Sequence, residues 1–460
     1  MTLTVMITVA SIVFFVLMGY RLDQQNWSIA RGALVQIGST PSGATVTIDG
    51  KAGGARTPTK QSLIAGTHDF RVTRDGYRDW TKSLALQAGT LTWLNNIRLI
   101  PSSLETTTIR SLGSVTNVIT APDNRVILTQ EDNAKPEFRL ITINAIDDEP
   151  KTVALPATMF TAGSSHIFIP TSFDDSGRYV LVNHQYDSNK LEWLILDTQQ
   201  VAESLNLSRS LQIGLNDVKF SGRGIASLYG ISNGTLRNIS ATNGTLSRVL
   251  VSGIESFSIF DHSFITYVGT DPQDAGKKVA GVYRSGDDTS TILREAVDKE
   301  VPLAIATTRY FNDVYTAIAE GSSVTILKGD FPNPEAADKG DNLEIVNKFE
   351  LSFSVKELLF SGKGSYLVMR GDTAYAGYEV EFRRLVEAPI VLEKIRWFDD
   401  INLWTMQNGT AVIQEFDGAN RQELVPASSP LVLLSSDDRF LYTIFEENGV
   451  SRLQQTRLIL

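Results

Sequence analysis

A short strand–turn–strand signature recurs along most of this chain, and it constrains the fold more than any other feature. In each copy an apolar strand is followed by a tight polar turn and a second apolar strand, at spacings of roughly 36 to 53 residues. Blades of a β-propeller repeat about every 40–50 residues. Eight copies can be recognised, which predicts a mainly β chain with an eight-bladed propeller; the copies begin at Ala121, Phe173, Phe220, Phe260, Arg309, Phe360, Phe398 and Ser435.

The two ends of this region predict how the ring of blades closes. The last repeat, from Leu431 to Leu460, holds only about three strands, whereas Thr106–Leu112 is a strand-like segment that precedes the first copy. If that segment completes the last blade, the ring closes without an exposed sheet edge. Seven blades remain the alternative, because the copies near residues 260 and 310 are weak. Residues 293–299 are the only stretch in this region with modest helical periodicity.

A smaller module precedes the repeats, between Val35 and Leu99. Apolar and polar residues alternate from Ala44 to Asp49, which is the period of a half-buried strand. Pro and Gly at positions 41 and 43 form a turn, and Asp49-Gly50 suits a two-residue hairpin. The pattern predicts about five short antiparallel strands in a small β-sandwich.

The order of these signals resembles the PEGA domain, which is named for a Pro-Glu-Gly-Ala turn. Pro41-Ser42-Gly43-Ala44 keeps three of the four residues, with Ser42 in place of glutamate. Thr57-Pro58, Gly66 to His68 and Gly76-Tyr77 also fit the pattern. PEGA domains are mostly extracytoplasmic accessory modules of prokaryotic surface proteins, so the resemblance implies a place outside the cytoplasm and a role in binding. The repeats resemble WD40-like bacterial propellers in architecture only, because the Gly-His and Trp-Asp signature is absent.

The N-terminal segment predicts a membrane anchor. Leu3 to Tyr20 is an uncharged, apolar run of 18 residues, which as a helix would nearly cross a hydrocarbon core of about 30 Å. A cleaved signal peptide and a buried core helix are the alternatives. The predicted domain order is a transmembrane anchor at 1–20, a stalk at 21–33, a PEGA-like domain at 34–101 and a β-propeller at 102–460. The bulk of the chain is predicted to be extracytoplasmic on a single-pass membrane anchor.

Composition excludes several classes of function. The chain has no cysteine, so a disulfide, a thiolate metal site and a cysteine nucleophile are impossible. Residues 102–460 carry 32 basic and 47 acidic side chains, a net charge of −15, which argues against nucleic-acid binding. Residues 31–101 carry nine basic and four acidic side chains, a net charge of +5. That module could face anionic lipids, anionic wall polymers or the acidic domain.

Catalytic and cofactor motifs are also missing. The sequence has no phosphate-binding loop, no dinucleotide fingerprint and no Gly-x-Ser-x-Gly nucleophile motif. None of the four histidines has a metal-ligand spacing, although His184 and His262 could converge in the propeller funnel. We therefore predict no catalytic residue, no cofactor, no metal and no enzyme. Paired carboxylates could suggest a dyad, but most of them fall in the repeated turn, where aspartate accepts hydrogen bonds from its own backbone; they are Asp174-Asp175, Asp287-Asp288, Asp399-Asp400 and Asp437-Asp438.

The first functional hypothesis is a membrane-anchored, extracytoplasmic binding scaffold for a protein or glycan of the cell envelope. The alternative is an enzyme that acts on envelope polysaccharide or peptide, with its site in the funnel. The longest polar insertion, residues 329–342, is either a tolerated loop or a partner-binding loop with an exposed aromatic anchor among acidic residues. Its candidate binding residues are Phe331, Asn333, Glu335, Asp338 and Asp341. The ligand and the oligomeric state remain open.

Overall fold

The computed structural model describes residues 20–23, 28–187, 190–331, 343–388, 395–428 and 431–460. It divides into two units, of which the smaller holds Met1–Glu105, Ala419–Arg421 and Arg457–Leu460, and the larger holds Thr106–Gly418 and Gln422–Thr456. Within the described ranges no helix has the length and apolarity needed to cross a membrane. Residues 1–19 of the predicted anchor lie outside the described residues, so the anchor stays a prediction.

The smaller unit is built from two four-stranded sheets. One sheet contains β1 (Tyr20–Asp23), β2 (Ser28–Thr40), β5 (Thr59–Ile64) and β8 (Leu91–Arg98), with β8 parallel to β2. The other has the order β4 (Lys51–Arg56), β3 (Thr45–Ile48), β6 (Gly66–Thr73) and β7 (Trp80–Leu86). The two sheets share one buried apolar core that includes Val35, Ile37, Val46, Phe70 and Trp80. The unit is a small β-sandwich, with more strands than the sequence pattern predicted.

The predicted stalk at residues 21–33 is wrong. This segment contains β1 and the first part of β2, and the two strands pair from Tyr20↔Arg31 to Asp23↔Ser28. The reason is that the alternation of β2 continues backward from the core, since Ala33, Val35 and Ile37 are all buried.

The larger unit contains eight antiparallel sheets, numbered 1 to 8 here along the chain. Sheets 1 and 2 consist of β10 (Asn117–Thr120), β11 (Val126–Gln130), β12 (Glu137–Thr142) and β13 (Lys151–Ala154), then β14 (His166–Phe173), β15 (Tyr179–Tyr186), β16 (Lys190–Asp197) and β17 (Leu205–Asn206). Sheets 3 and 4 consist of β18 (Asp217–Phe220), β19 (Leu228–Ser232), β20 (Thr235–Ser240), β21 (Thr245–Leu246) and β22 (Val251–Ser252), then β23 (Ile254–Phe260), β24 (Phe264–Thr270), β25 (Lys278–Arg284) and β26 (Thr291–Glu295).

The remaining sheets follow the same up-and-down order. Sheets 5 and 6 consist of β27 (Leu303–Tyr310), β28 (Asp313–Glu320), β29 (Ser323–Lys328) and β30 (Glu344–Glu350), then β31 (Glu357–Phe360), β32 (Tyr366–Arg370), β33 (Tyr375–Glu379) and β34 (Arg384–Ala388). Sheet 7 consists of β35 (Arg396–Trp397), β36 (Asn402–Gln407), β37 (Thr410–Glu415) and β38 (Gln422–Pro426). Eight such sheets in chain order form the β-propeller that the repeat predicted.

Sheet 8 joins the two ends of the larger unit. Its order is β39 (Val432–Leu434), β40 (Phe440–Glu447), β41 (Val450–Arg457) and β9 (Thr106–Gly113), so the first strand of the unit completes the last sheet. β9 runs antiparallel to β41, and the hydroxyls of Thr106 and Thr456 lie 2.8 Å apart. The predicted closure by Thr106–Leu112 is confirmed.

Neighbouring sheets pack face to face through apolar side chains. Sheets 1 and 2 share a core that includes Leu128, Phe138, Phe168 and Val182. Between sheets 6 and 7 the approach is so close that a Cβ on Gly377 would lie 2.4 Å from the Phe416 carbonyl oxygen. Only glycine is compatible with that contact.

The helical expectation for residues 293–299 is wrong. Leu293 to Glu295 belong to β26, which pairs with β25, because sheet pairing overrides a weak local helical propensity. The one α-helix among the described residues, α1 (Leu207–Leu211), was not predicted; its cap is Asn206, whose side chain accepts a hydrogen bond from the Arg209 backbone N–H.

Candidate functional site

The turns that join the first two strands of each sheet, called the first turns here, contact one another in succession. Gly224 of sheet 3 donates its backbone N–H to the Asp174 carboxylate of sheet 2 at 2.7 Å. The carboxylate of Asp261 in sheet 4 pairs with Arg309 of sheet 5 at 2.7 Å. Lys363 of sheet 6 donates its backbone N–H to Asp400 of sheet 7 at 3.0 Å. These contacts link neighbouring sheets along one face of the ring.

The paired carboxylates stabilise these turns through hydrogen bonds with the backbone. Asp174 is fully buried and accepts hydrogen bonds from the backbone N–H groups of Ser176, Arg178 and Tyr179. Burial alone would raise the pKa of Asp174, but its hydrogen bonds to the Ser176 hydroxyl and to backbone N–H groups lower it overall. Asp399 and Asp437 accept backbone N–H groups in the same way. The turn interpretation of these aspartates is confirmed.

The two histidines that could have met in the funnel do not come together. His262 lies on the first turn of sheet 4, where Nδ1 is 2.6 Å from the Ser221 carbonyl oxygen. His184 is fully buried on β15, with Nε2 2.9 Å from Nδ1 of His166 and Nδ1 2.8 Å from Oε1 of Glu192. Sheet register explains the second arrangement, because His184 lies directly opposite Glu192 on β16.

Glu192, His184 and His166 form a hydrogen-bonded chain, called the histidine relay here. Glu192 also accepts the Asn206 side-chain amide at 2.8 Å and both the backbone N–H and the hydroxyl of Thr161, at 2.7 and 2.8 Å. Burial opposes ionisation of Glu192, but hydrogen bonds from His184, Asn206 and Thr161 lower its pKa to about 2. The carboxylate accepts Nδ1–H of His184, and Nε2 of His184 shares a hydrogen bond with Nδ1 of His166. The half-buried His166 forms the outer end of the relay.

Aromatic rings enclose the relay. The rings of Phe168 and His184 are stacked with centroids 4.3 Å apart, and the ring of Tyr186 also stacks with that of His184, at 5.2 Å. Phe160 contacts both imidazoles edge-on, at 5.6 Å from His166 and 5.4 Å from His184. This environment fixes the imidazole orientations, and Glu192 itself is buried.

A cavity of 470 Å³ opens where the first strands of sheets 2, 3 and 4 meet. Its polar lining includes the side chains of Thr171, Asp217, Lys219 and Ser258. Lys219 lies 3.6 Å from Asp217, donates a hydrogen bond to the Phe257 carbonyl, and stands 4.6 Å from the centroid of the Phe257 ring. The ammonium group is therefore held by protein partners within the cavity.

The expected exposed anchor in the 329–342 insertion is wrong at Phe331. Its side chain is only 4% exposed and packs with Val282 and Val314. Its ring centroid lies 5.2 Å from that of Phe264, so it belongs to the core of sheets 4 and 5. The other candidate residues, Asn333, Glu335, Asp338 and Asp341, lie outside the described residues, and a binding role for the loop stays a prediction.

Sequence reasoning missed His166 and Phe311. His166 has no local signal, since only the register of β14 against β15 brings it to His184. Phe311 has a local signal, because a phenylalanine stands between Tyr310 and Asn312 where the other copies of the turn have aspartate, serine or proline. Among the described residues no group of three acidic or histidine side chains is placed to hold a metal ion.

The smaller unit matches a known family. The PEGA domain model matches residues 33–100. These residues form a PEGA domain. The match confirms the resemblance carried by Pro41 to Ala44, and the PEGA core is the sandwich core around Val35 and Phe70.

Comparison with curated proteins gives no match. Among solved structures, an oligogalacturonate lyase in complex with manganese is 9% identical, with a TM-score of 0.42, over 77% of this chain and 98% of that one. Hsv2p of Kluyveromyces lactis is 11% identical, with a TM-score of 0.43, over 69% and 100% of the two chains. The β-propeller domain of Cps50 (Swd1) of Myceliophteria thermophila is 11% identical, with a TM-score of 0.40, over 76% and 99%.

Proposed function

We propose that this protein is a membrane-anchored, extracytoplasmic binding scaffold that contacts a protein or a glycan of the cell envelope. The observation that carries the proposal is the closed ring of eight sheets, completed by the pairing of β9 with β41. A closed ring is a rigid platform from which loops project, and loops on rigid platforms are where binding function concentrates.

The contacts that the carboxylates make support a binding scaffold rather than a hydrolase. Asp174, Asp399 and Asp437 accept backbone N–H groups of their own turns, and Asp261 and Asp400 connect neighbouring turns. These carboxylates stabilise the geometry of the turns and the contacts between sheets, which a stable ring that presents loops requires.

The PEGA domain supports the extracytoplasmic location, because the resemblance implies a surface protein. The apolar run from Leu3 to Tyr20 supports the anchor.

Binding of the chain without residues 1–19 to purified wall glycan and to solubilised envelope proteins tests the proposal. We expect saturable binding to one of these fractions, with the bound material recovered unchanged. Absence of saturable binding to either fraction would contradict the scaffold.

A second candidate function, an enzyme acting on envelope polysaccharide or peptide, is favoured by the histidine relay. A buried carboxylate that orients an imidazole, which in turn contacts a second, half-buried imidazole, resembles arrangements used in general base catalysis. In the same binding experiment, release of shortened glycan or peptide that disappears in a His166→Gln variant would support the enzyme against the scaffold.

A further inference from the structure

Phe311 combines two unfavourable features. It is the first of two loop residues between Tyr310 and Asp313, which pair across β27 and β28, and its φ is +51°. Positive φ at this position of a tight hairpin is normally supplied by glycine, asparagine or aspartate. Its side chain is nevertheless a large apolar ring that is 80% exposed to solvent.

The other first turns provide an internal comparison. The residues with positive φ in those turns are of the types that tolerate this conformation; they include Asn124, Gly177, Gly224, Asp261, His262, Gly364 and Asp438. Folding of the turn therefore does not account for phenylalanine at position 311, and a strained residue that persists against the local preference points to a role outside the fold.

The base of this turn is fixed on both sides. Arg309 pairs with Asp261 of sheet 4 at 2.7 Å, and the hydroxyl of Tyr310 donates to Glu381 of sheet 6 at 2.8 Å. The Tyr310 ring contacts the Phe311 ring edge-on, with centroids 4.6 Å apart. The exposed ring is thus presented from an ordered base, which reduces the entropy lost when a partner covers it.

Carboxylates surround this base. Within the described part of the chain, Glu381 and Asp400 have hydrogen-bond donors but no ion-pair partner. Burial, together with Glu381, Glu379 and Asp400, raises the pKa of the Tyr310 hydroxyl. The nearby cations are Arg309, which pairs with Asp261, and Lys363, whose backbone N–H donates to Asp400. Two more lie at the turn of Glu381: Arg384 pairs with Glu379 and Asp417, and Arg383 donates a hydrogen bond to the Val346 carbonyl oxygen. The net charge of residues 102–460, −15, adds a long-range preference for basic partners.

We propose that Phe311 anchors a docking surface for a protein partner that offers an apolar pocket rimmed by lysine or arginine side chains. The proposal rests on the proposed binding function and names the face and the partner chemistry. A ring that projects from a turn fits into a pocket of a partner, and buried aromatic anchors dominate protein interfaces. Glu381 and Asp400 would face the basic rim, which sets orientation and association rate.

Selection of a displayed library of small folded proteins on the full chain tests the proposal, with counter-selection on a Phe311→Gly variant. We expect selected proteins whose binding surface combines an apolar pocket with Lys or Arg, and binding at least 10-fold weaker to Phe311→Gly than to the natural chain. Glycine relieves the left-handed strain, so the variant should also melt about 1–2 °C higher. A higher melting temperature together with lost binding separates recognition from folding.

Matched variants define the remaining outcomes. Val297→Ser removes another exposed apolar side chain, 96% exposed, and should leave binding of the selected proteins unchanged. Glu381→Gln should weaken that binding and reduce its dependence on salt. Selected proteins with acidic or neutral binding surfaces, or that bind Phe311→Gly as well as the natural chain, would refute the proposed docking surface. If envelope ligands still bind the chain in that case, the scaffold function survives; if a Phe311-dependent glycan is found instead, the protein partner is refuted.

Discussion

Single residues of this protein have roles that depend on register more than on local sequence. The paired aspartates could be read correctly from the sequence, because an aspartate in a tight turn bonds to its own backbone whatever surrounds it. The histidine relay could not, because His166, His184 and Glu192 lie on three strands and meet only when β14, β15 and β16 pair in one register. Phe331 was misjudged for a similar reason, since its apolar neighbours Val282 and Val314 come from two other strands.

A Glu192→Gln substitution should make stability less dependent on acid pH. The pKa of Glu192 falls from 4.5 to about 2 on folding, so the unfolded chain binds more protons and the carboxylate stabilises the fold above about pH 4.5. That contribution, about 3 kcal/mol, should be lost as pH falls toward 2. We expect the variant to be about 2 kcal/mol less stable at pH 7, with the difference shrinking below pH 4.5.

Urea unfolding between pH 3 and 7 measures this effect. Glu295→Gln is the matched control, because that carboxylate is half exposed and pairs with Lys277 on the surface. A stability difference that stays constant over the whole pH range would refute the role given to the Glu192 charge.

At the scale of elements, β9 has the largest consequence. Deleting it would leave β41 as an unpaired edge and would remove Leu112, which is 1% exposed. We expect a chain that starts at residue 114 to melt several degrees below one that starts at residue 102. Equal melting temperatures, measured by calorimetry, would show that closure by β9 contributes nothing to stability.

The insertion near residue 331 separates into a core residue and a replaceable segment. Phe331→Ala should lower the free energy of unfolding by about 3 kcal/mol, because it opens a cavity against Phe264 and Val314. Replacing residues 332–341 by a Gly-Ser linker should change it by less than about 1 kcal/mol, since the entropy of loop closure depends only weakly on the loop. Thermal unfolding of both variants measures the contrast, and equal losses in the two would contradict it.

Considered as a whole molecule, the chain joins a PEGA domain to a propeller of opposite charge. Both architectures were predictable, because turn residues recur at fixed offsets and strands alternate between apolar and polar positions. The stalk and the helix near residue 293 were mispredicted where strand pairing extended an element beyond its local signal.

The proposed topology can be tested on whole cells. If Leu3–Tyr20 anchors the chain and the remainder is extracytoplasmic, protease added to intact cells or spheroplasts should digest the propeller. A cytoplasmic marker protein should survive the same treatment. Digestion of the propeller only after lysis would place it on the other side of the membrane.

Pairing of β9 with β41 also determines when the ring can close during folding. Thr106 and Thr456 are 350 positions apart. β9, the first propeller strand to be synthesised, therefore has no partner until almost the whole propeller has been made. Contacts of such long range form late and slowly, and an unpaired strand edge can pair with a strand of another chain. The first three residues of β9 are Thr106-Thr107-Thr108, all exposed. Their polar side chains keep the unpaired edge of β9 hydrated. A chain that terminates before β41 cannot complete sheet 8, so the ring closes only in a chain that has been synthesised through β41.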